Sequence, residues 1–323
     1  MEITYRGPLH KMVDTAVGHT LFFQNRPSSK TDEKIESLRE YHTYFEKNFG
    51  GKELKIETRL EGVTLSGYHL SAKAYRKTRE GKAPLSEVLE NQQIIDKAPR
   101  KLAHPKTVIL TMGAGQLFEG FTEYFINYLD RGFDVISFNY NGHGLSEGIP
   151  TERGLYENAQ DVYLFAVNRL NISENQLVGA GFSLGGATIL SLVEVNPSIP
   201  LILDRTFSSM ENVLTRYAPK GLKWMAKGLS NRYLAFNSIK RIEKAAGPLL
   251  IMRADKDEVL PKDCPLKLYE RKLQTMRPGQ KVTFLDVSGY HNFAVDQAVW
   301  VHNPDDQKAF DKALTYLDII DRI

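Results

Sequence analysis

Gly181-Phe182-Ser183-Leu184-Gly185-Gly186 is the segment of this chain best suited to covalent chemistry. A serine hydroxyl can be presented on a tight turn between a strand and a helix only if the backbone there is strained. Side chains two residues before and two after would then collide, which is why glycine stands at both positions. Gln176–Gly181 reads as a strand, and Leu184–Val195 reads as a helix stopped by Pro197. The helix would aim its N-terminus at the hydroxyl, where it favours developing negative charge. A merely structural tight turn is the alternative, and the strand-then-helix context weighs against it.

Serine is a poor nucleophile at neutral pH and needs an imidazole to take its proton, with a carboxylate to orient that imidazole. Leu249–Arg253 reads as a strand, with Asp257 just past its end. Val282–Val287 is the next strand, and His291 follows it in Ser288-Gly289-Tyr290-His291-Asn292. Parallel strands bring such loops to the edge that carries Ser183. Asp204, which ends its own strand, is the rival acid, and Asp255 is a third option. His143, in a glycine-rich turn after a strand, is the other histidine on that edge; such turns are usually structural. A tetrahedral oxyanion would need two backbone N–H donors. Leu184 supplies one; Gly113 or Ala114, in Met112-Gly113-Ala114-Gly115, supplies the other, and the sequence leaves that choice open. Cys264 is the sole cysteine. Its Cys264-Pro265 context has no such turn around it, and no intramolecular disulfide is possible.

Positioning these groups takes a regular scaffold. Leu54–Arg59 and Val63–Ala72 read as strands joined at Glu61-Gly62, followed by strands at Thr107–Met112, Phe133–Tyr140 and Pro200–Leu203. Leu117–Leu129, Gly154–Leu170 and a final stretch marked by Phe310, Leu314, Leu317 and Ile320 have helical spacing. Strands alternating with helices predict a mainly parallel sheet covered on both faces. Residues 1–50 stand apart as a helical extension: Ile35, Leu38, Tyr41 and Phe45 mark an apolar face, and Pro8–Phe23 reads as a weaker helix. Residues 51–323 form the main domain.

Composition agrees with a globular protein: 323 residues, 42% apolar and 25% charged. A net charge of +3 is too small to argue for nucleic acid. No apolar run reaches the length of a membrane span, and the start lacks a basic-then-apolar leader, so a cytoplasmic address is expected. There is no H-E-x-x-H and no cysteine cluster, so no metal or organic cofactor is implied.

Taken together, the glycine turn at Gly113, Tyr140-Asn141-Gly142-His143-Gly144-Leu145-Ser146, the serine turn and Asp257-Glu258-Val259-Leu260-Pro261 resemble the α/β-hydrolase superfamily, in that order. The likeness runs from about Leu54 to Ile323 and is strongest to small-lid serine hydrolases, the protein depalmitoylases and carboxylesterases. Two departures are Thr111-Met112-Gly113, where the family usually has His-Gly, and Arg253-Ala254 before the acid loop. The resemblance implies an α/β-hydrolase fold: a mostly parallel eight-stranded sheet, helices on both faces and a small helical cap. It implies an antiparallel second strand, so the insertion 73–105 would lie on the edge away from the site. That insertion carries Lys73, Arg76, Lys77, Arg79 and Lys82; a solvated loop is expected, contact with an anionic surface is the alternative, and shortening it is expected to leave kcat and chain-length preference nearly unchanged. Residues 208–246 would cross the active edge as the cap, with Met210, Tyr217, Trp224 and Met225 walling an acyl pocket. Arg205 would meet an anionic head group or serve as an ion-pair partner. The expected substrate is an acyl ester or thioester, with peripheral membrane contact open. Amide or peptide hydrolysis, acyl transfer, and a non-catalytic binding protein on the same fold are the alternatives.

Overall fold

A computed structural model describes residues 32–79, 102–225, 227–228, 235–291 and 303–320. The expected helix at Pro8–Phe23 lies outside the described residues. In chain order the chain forms α1 (Asp32–Phe49), β1 (Lys52–Glu57), β2 (Thr64–Leu70), α2 (Ala72–Arg79), β3 (Thr107–Thr111), α3 (Thr122–Leu129), β4 (Asp134–Phe138) and α4 (Glu152–Asn168). It continues with β5 (Leu177–Phe182), α5 (Leu184–Ile189), β6 (Leu201–Asp204), α6 (Met210–Tyr217), α7 (Ser238–Ile242), β7 (Leu249–Ala254), α8 (Asp263–Thr275), β8 (Val282–Val287) and α9 (Pro304–Tyr316).

The eight strands make one open sheet in the order β1-β2-β4-β3-β5-β6-β7-β8. β2 is antiparallel to both β1 and β4, and every other pair is parallel. The expected antiparallel second strand is therefore present. Alternation along each strand divides the interior between two faces. Ile109, Ile136 and Ile251 join one cluster, with Leu155, Ala159, Val162 and Ala166 of α4 and Leu268 of α8. Val108, Leu110, Val135 and Met252 join the other, with Phe125 and Leu129 of α3 and Phe310 and Leu314 of α9. The helical spacing in the sequence thus marks helices whose apolar faces cover the sheet. α4 begins where Thr151 accepts a hydrogen bond from the Gly154 N–H at 2.9 Å, an N-cap that satisfies one orphan donor of the first turn.

Two expectations need correction. The buried stripe of α1 is His42, Phe45 and Phe49, and Tyr41 is 44% exposed. Phe45 is buried as the apolar pattern suggested, but in place of Tyr41 it is His42 that turns inward, to Glu119, which is 2% exposed, at 3.2 Å. The stretch after Lys73 is also not all solvated loop. α2 buries Ala72 and Tyr75, and the Tyr75 ring stacks on Phe49 with centroids 5.5 Å apart. Shortening the connection from Lys73 would remove that contact and so cost stability. Tyr75→Ala should lower unfolding free energy by about 3 kcal/mol, as for a large buried side chain cut to alanine. Urea unfolding checks this, and a loss under about 1 kcal/mol would show that α2 contributes little to the core.

Candidate active site

β5 delivers Ser183 at the sheet's carboxyl edge. Its backbone sits at φ 53° and ψ −116°, a strained region for a residue with a side chain. Two bonds hold it there: the Ser183 N–H donates to the Asp204 carbonyl at 2.9 Å, and Thr206 Oγ1 donates to the Ser183 carbonyl at 2.7 Å. The glycines are sterically required. A Cβ on Gly181 would lie 2.3 Å from the Gly185 carbonyl oxygen, and one on Gly185 would lie 2.2 Å from that of Thr111. α5 starts at Leu184, whose N–H, in the first turn, has no acceptor within the helix.

β7 and β8 deliver the other two groups. His291 Nδ1 lies 2.8 Å from Asp257 Oδ2, and His291 Nε2 lies 3.0 Å from Ser183 Oγ. An ionised carboxylate only accepts, so the Nδ1 proton faces Asp257 and Nε2 is left to accept from the serine hydroxyl. Asp257 and His291 are 5% and 3% exposed, so water competes little for either contact. The other oxygen of Asp257 accepts the Val259 and Leu260 N–H groups at 3.0 and 2.7 Å, which fixes the carboxylate plane. The two loops are also joined directly. Glu258 accepts the His291 N–H at 2.8 Å, and Asp255 accepts the Gly289 N–H at 2.8 Å. Asp255, the third acid considered, is thus a loop tie, outside the serine–histidine line.

Asp204, the rival acid, is bound elsewhere. Both its oxygens take the Arg205 guanidinium, at 2.9 and 2.8 Å, and one also accepts the Tyr124 hydroxyl. Arg205 is 1% exposed, which rules out a surface head-group contact in this conformation. It donates to the Tyr290 and His291 carbonyls at 2.9 and 3.1 Å and lies over the Phe182 ring at 4.7 Å. Phe182 itself packs beside the His291 ring at 5.3 Å. Burial opposes the arginine's charge, but Asp204, Tyr124 and Asp257 outweigh it and raise its pKa, so it stays ionised. Arg205 is thus the ion-pair partner that the sequence allowed, whereas its reach to Tyr124 and to the histidine loop was not foreseen. An Asp-Arg pair ending a strand has no motif, and only the fold shows that it reaches the histidine loop.

The turn after β3 holds the remaining candidates. The Gly113 N–H donates to Gln116 Oε1 at 3.0 Å, whereas Ala114 is exposed beside it. Tyr140 Oη donates to the Met112 carbonyl at 2.8 Å and so supports this turn from β4's loop. His143 is 2% exposed, with its Nδ1 3.2 Å from the Asn141 carbonyl; it lies outside the serine–histidine–aspartate line. Cys264 is buried in α8, and burial raises its thiol pKa, so it is poorly suited to attack.

Residues expected to wall an acyl pocket have different surroundings. Met210 is buried in the core against the sheet. Tyr217 donates its hydroxyl to the Val259 carbonyl, which ties α6 to the acid loop. Trp224 is 72% exposed and Met225 44%. These two do not form a dry wall in this conformation.

Sheet order, antiparallel β2 and the serine turn together give the chain the α/β-hydrolase fold. A family model described as the alpha/beta hydrolase fold matches residues 106–200. The lysophosphatidylserine lipase ABHD12 of Danio rerio is 32% identical over 181 residues, covering 50% of this chain and 47% of its own length. The uncharacterized protein YfhR of Escherichia coli K12 is 29% identical over 186 residues, covering 54% of this chain and 63% of its own. The chain therefore spans about half to three fifths of the length of these curated relatives. An alpha-beta hydrolase from Vibrio vulnificus superposes with a TM-score of 0.64 at 19% identity, over 97% of this chain and 95% of that one. An esterase from Pyrococcus furiosus gives 0.58 at 16% identity, over 85% and 93%. At these identities the structural likeness concerns the fold. Among the described residues no helix is long and apolar enough to cross a membrane.

Proposed function

We propose that the protein is a serine hydrolase that cleaves a carboxylic ester or thioester through an acyl-serine intermediate. The observation that carries this is the line Asp257–His291–Ser183, with contacts of 2.8 and 3.0 Å, on a turn whose φ of 53° is strained. Strain of that kind persists where surrounding structure enforces it, and here the bonds to Asp204 and Thr206 do so. His291 Nε2 takes the hydroxyl proton as Ser183 Oγ attacks the carbonyl carbon. The oxyanion receives the Leu184 N–H and a second donor from the β3 turn. Gly113 is engaged by Gln116, which favours Ala114 as that donor. Collapse breaks the bond to the alcohol or thiol, which leaves with the proton from Nε2. Water then repeats the sequence and releases the acid. Residues 51–323 are the proposed hydrolase domain, 208–246 its small cap, and 1–50 an extension whose α1 braces the fold.

The lysophosphatidylserine lipase among the curated relatives favours an ester over an amide. The test is turnover of p-nitrophenyl esters, acyl thioesters and anilides of one acyl group, with intact mass spectrometry of the quenched enzyme. An acyl adduct at Ser183, with esters or thioesters turned over faster than the anilide, is expected. Anilide turnover without ester turnover would make it an amidase, and no adduct with any substrate would remove the acyl-serine route.

The acid assignment gives a second expected outcome. Asp257→Asn should lower kcat by roughly 10⁴-fold, as loss of the orienting carboxylate does in other triads. Asp204→Asn should destabilise the fold, because it leaves Arg205 buried with a weaker partner. Activity per folded molecule should stay within about tenfold, since tautomer control remains with Asp257. Steady-state kinetics on both variants, corrected for the folded fraction, decide it. The reverse ranking would move the acid role to β6.

A further inference from the structure

We propose that the α6 region of the cap is an interfacial docking surface for an anionic lipid bilayer, placed at the mouth of the candidate active site. The cap follows β6 on the same sheet edge as Ser183, Asp257 and His291, and Tyr217 joins it to the acid loop through the Val259 carbonyl. Its apolar side chains face water: Tyr217 is 59% exposed, Leu222 48%, Trp224 72% and Met225 44%. Four large apolar residues within nine positions, all exposed, contrast with the rest of the described chain, where such groups are mostly scattered singly. Neither the core nor the serine–histidine pair uses them.

The charge around these residues identifies the occupant. Arg216, Lys220, Lys223 and Lys227 are exposed in the same stretch, and Glu211 is the only acid from Ser209 to Gly228. Glu211 meets Lys227 at 3.3 Å, so the surface keeps a positive excess. Indole, phenol and thioether groups beside lysine stems match the boundary of a bilayer, where rings sit at head-group depth and ammonium groups reach phosphates. Lysine suits this role because its point charge on a flexible stem needs no fixed acceptor geometry, and lipid phosphates offer none. A protein partner would call for buried aromatic and arginine anchors seated in pockets. The present set is lysine-rich and exposed to water. Docking there would set the sheet's carboxyl edge toward the bilayer. This surface does not depend on the acyl-serine reading, because it binds whether or not Ser183 reacts.

The test uses the full chain carrying Ser183→Ala, so that lipids are not consumed. It is sedimented with vesicles of phosphatidylcholine alone or of an equal mixture with phosphatidylserine. Binding to the mixed vesicles, little to the neutral ones, and release by added salt are expected. Lys220→Ala with Lys223→Ala should weaken the anionic binding by roughly 25-fold, from about fivefold per lysine. Trp224→Ser should weaken it further while leaving circular dichroism and turnover of a soluble acetyl ester, measured in the Ser183 background, unchanged. The chain has two tryptophans, Trp224 and Trp300. In a Trp300→Phe variant the emission of Trp224 should therefore shift to the blue when mixed vesicles are added. Equal binding to both vesicle types, or binding unaffected by the lysine and tryptophan changes, would overturn the proposal. So would no vesicle binding together with retention on immobilised polyglutamate, which would assign the surface to an acidic protein.

Discussion

Ser183→Ala should abolish labelling by a fluorophosphonate probe and lower kcat for any ester substrate by roughly 10⁶-fold, the size of loss seen when a triad nucleophile is removed. The probe needs an activated hydroxyl, and Ser183 Oγ is the one that meets His291 Nε2, at 3.0 Å. The variant should fold normally. Its backbone is held by the bonds of Ser183 N and O to Asp204 and Thr206, which use no serine side-chain atom. Alanine meets the same φ of 53° that serine already tolerates. Circular dichroism and urea unfolding supply the control, and in-gel fluorescence supplies the measurement. Full labelling of a folded Ser183→Ala protein would sink the nucleophile assignment, whatever the substrate proves to be.

Arg205→Met should cost about 3–5 kcal/mol of stability, because it leaves the Asp204 carboxylate buried without its cation. The loss is larger than for a surface ion pair since Arg205 is 1% exposed and every direction of its guanidinium is used. Two of those directions are carbonyls of the histidine loop. The surviving folded molecules should therefore also show a lower kcat at similar KM, from a less well held His291. Arg205→Lys should recover the charge but not the fork, and so sit between the two. The double variant Asp204→Asn with Arg205→Met should regain part of the stability, because it removes both buried charges. Denaturant midpoints and steady-state kinetics read these outcomes. Near-wild-type stability for Arg205→Met would mean that the cluster is decorative.

Much of this arrangement is legible in the chain itself, for identifiable reasons. Strand ends followed by Ser183, Asp257 and His291 can be read because a parallel sheet sends every such loop to one edge. The serine turn can be read because its glycines are demanded by contacts of 2.2 and 2.3 Å. That Asp257 meets His291 while Asp204 is taken up by Arg205 needs the fold, since Arg205 also reaches across to residues 290 and 291. The turn after β3 is hidden for a similar reason: both Gly113 and Ala114 suit a turn, and the bond from the Gly113 N–H to the Gln116 side chain is seen only in the fold. Helix ends shift where local geometry changes. Leu184–Val195 is a single apolar stretch, but the α-helix ends at Ile189 and a tighter 3₁₀ segment covers Leu190–Glu194. The cap shows the limit of hydrophobicity as a guide to burial: Met210 is in the core, and Trp224, fourteen residues later, is in water.

The serine–histidine contact joins residues 108 positions apart, and the Arg205 clasp on the histidine loop spans 86. Nothing local in sequence can build either one. A chain still being synthesised would have Ser183 on its strained turn long before β7 and β8 exist to supply the acid and the base. During that interval the serine has no imidazole to take its proton and is an ordinary, poorly nucleophilic alcohol. On the serine chemistry proposed above, reactivity would therefore have to wait for β7 and β8, the strands that deliver Asp257 and His291. Probe labelling, if it occurs at Ser183 as proposed, would accordingly report more than the presence of a serine: it would report that the segment from β7 onward has docked.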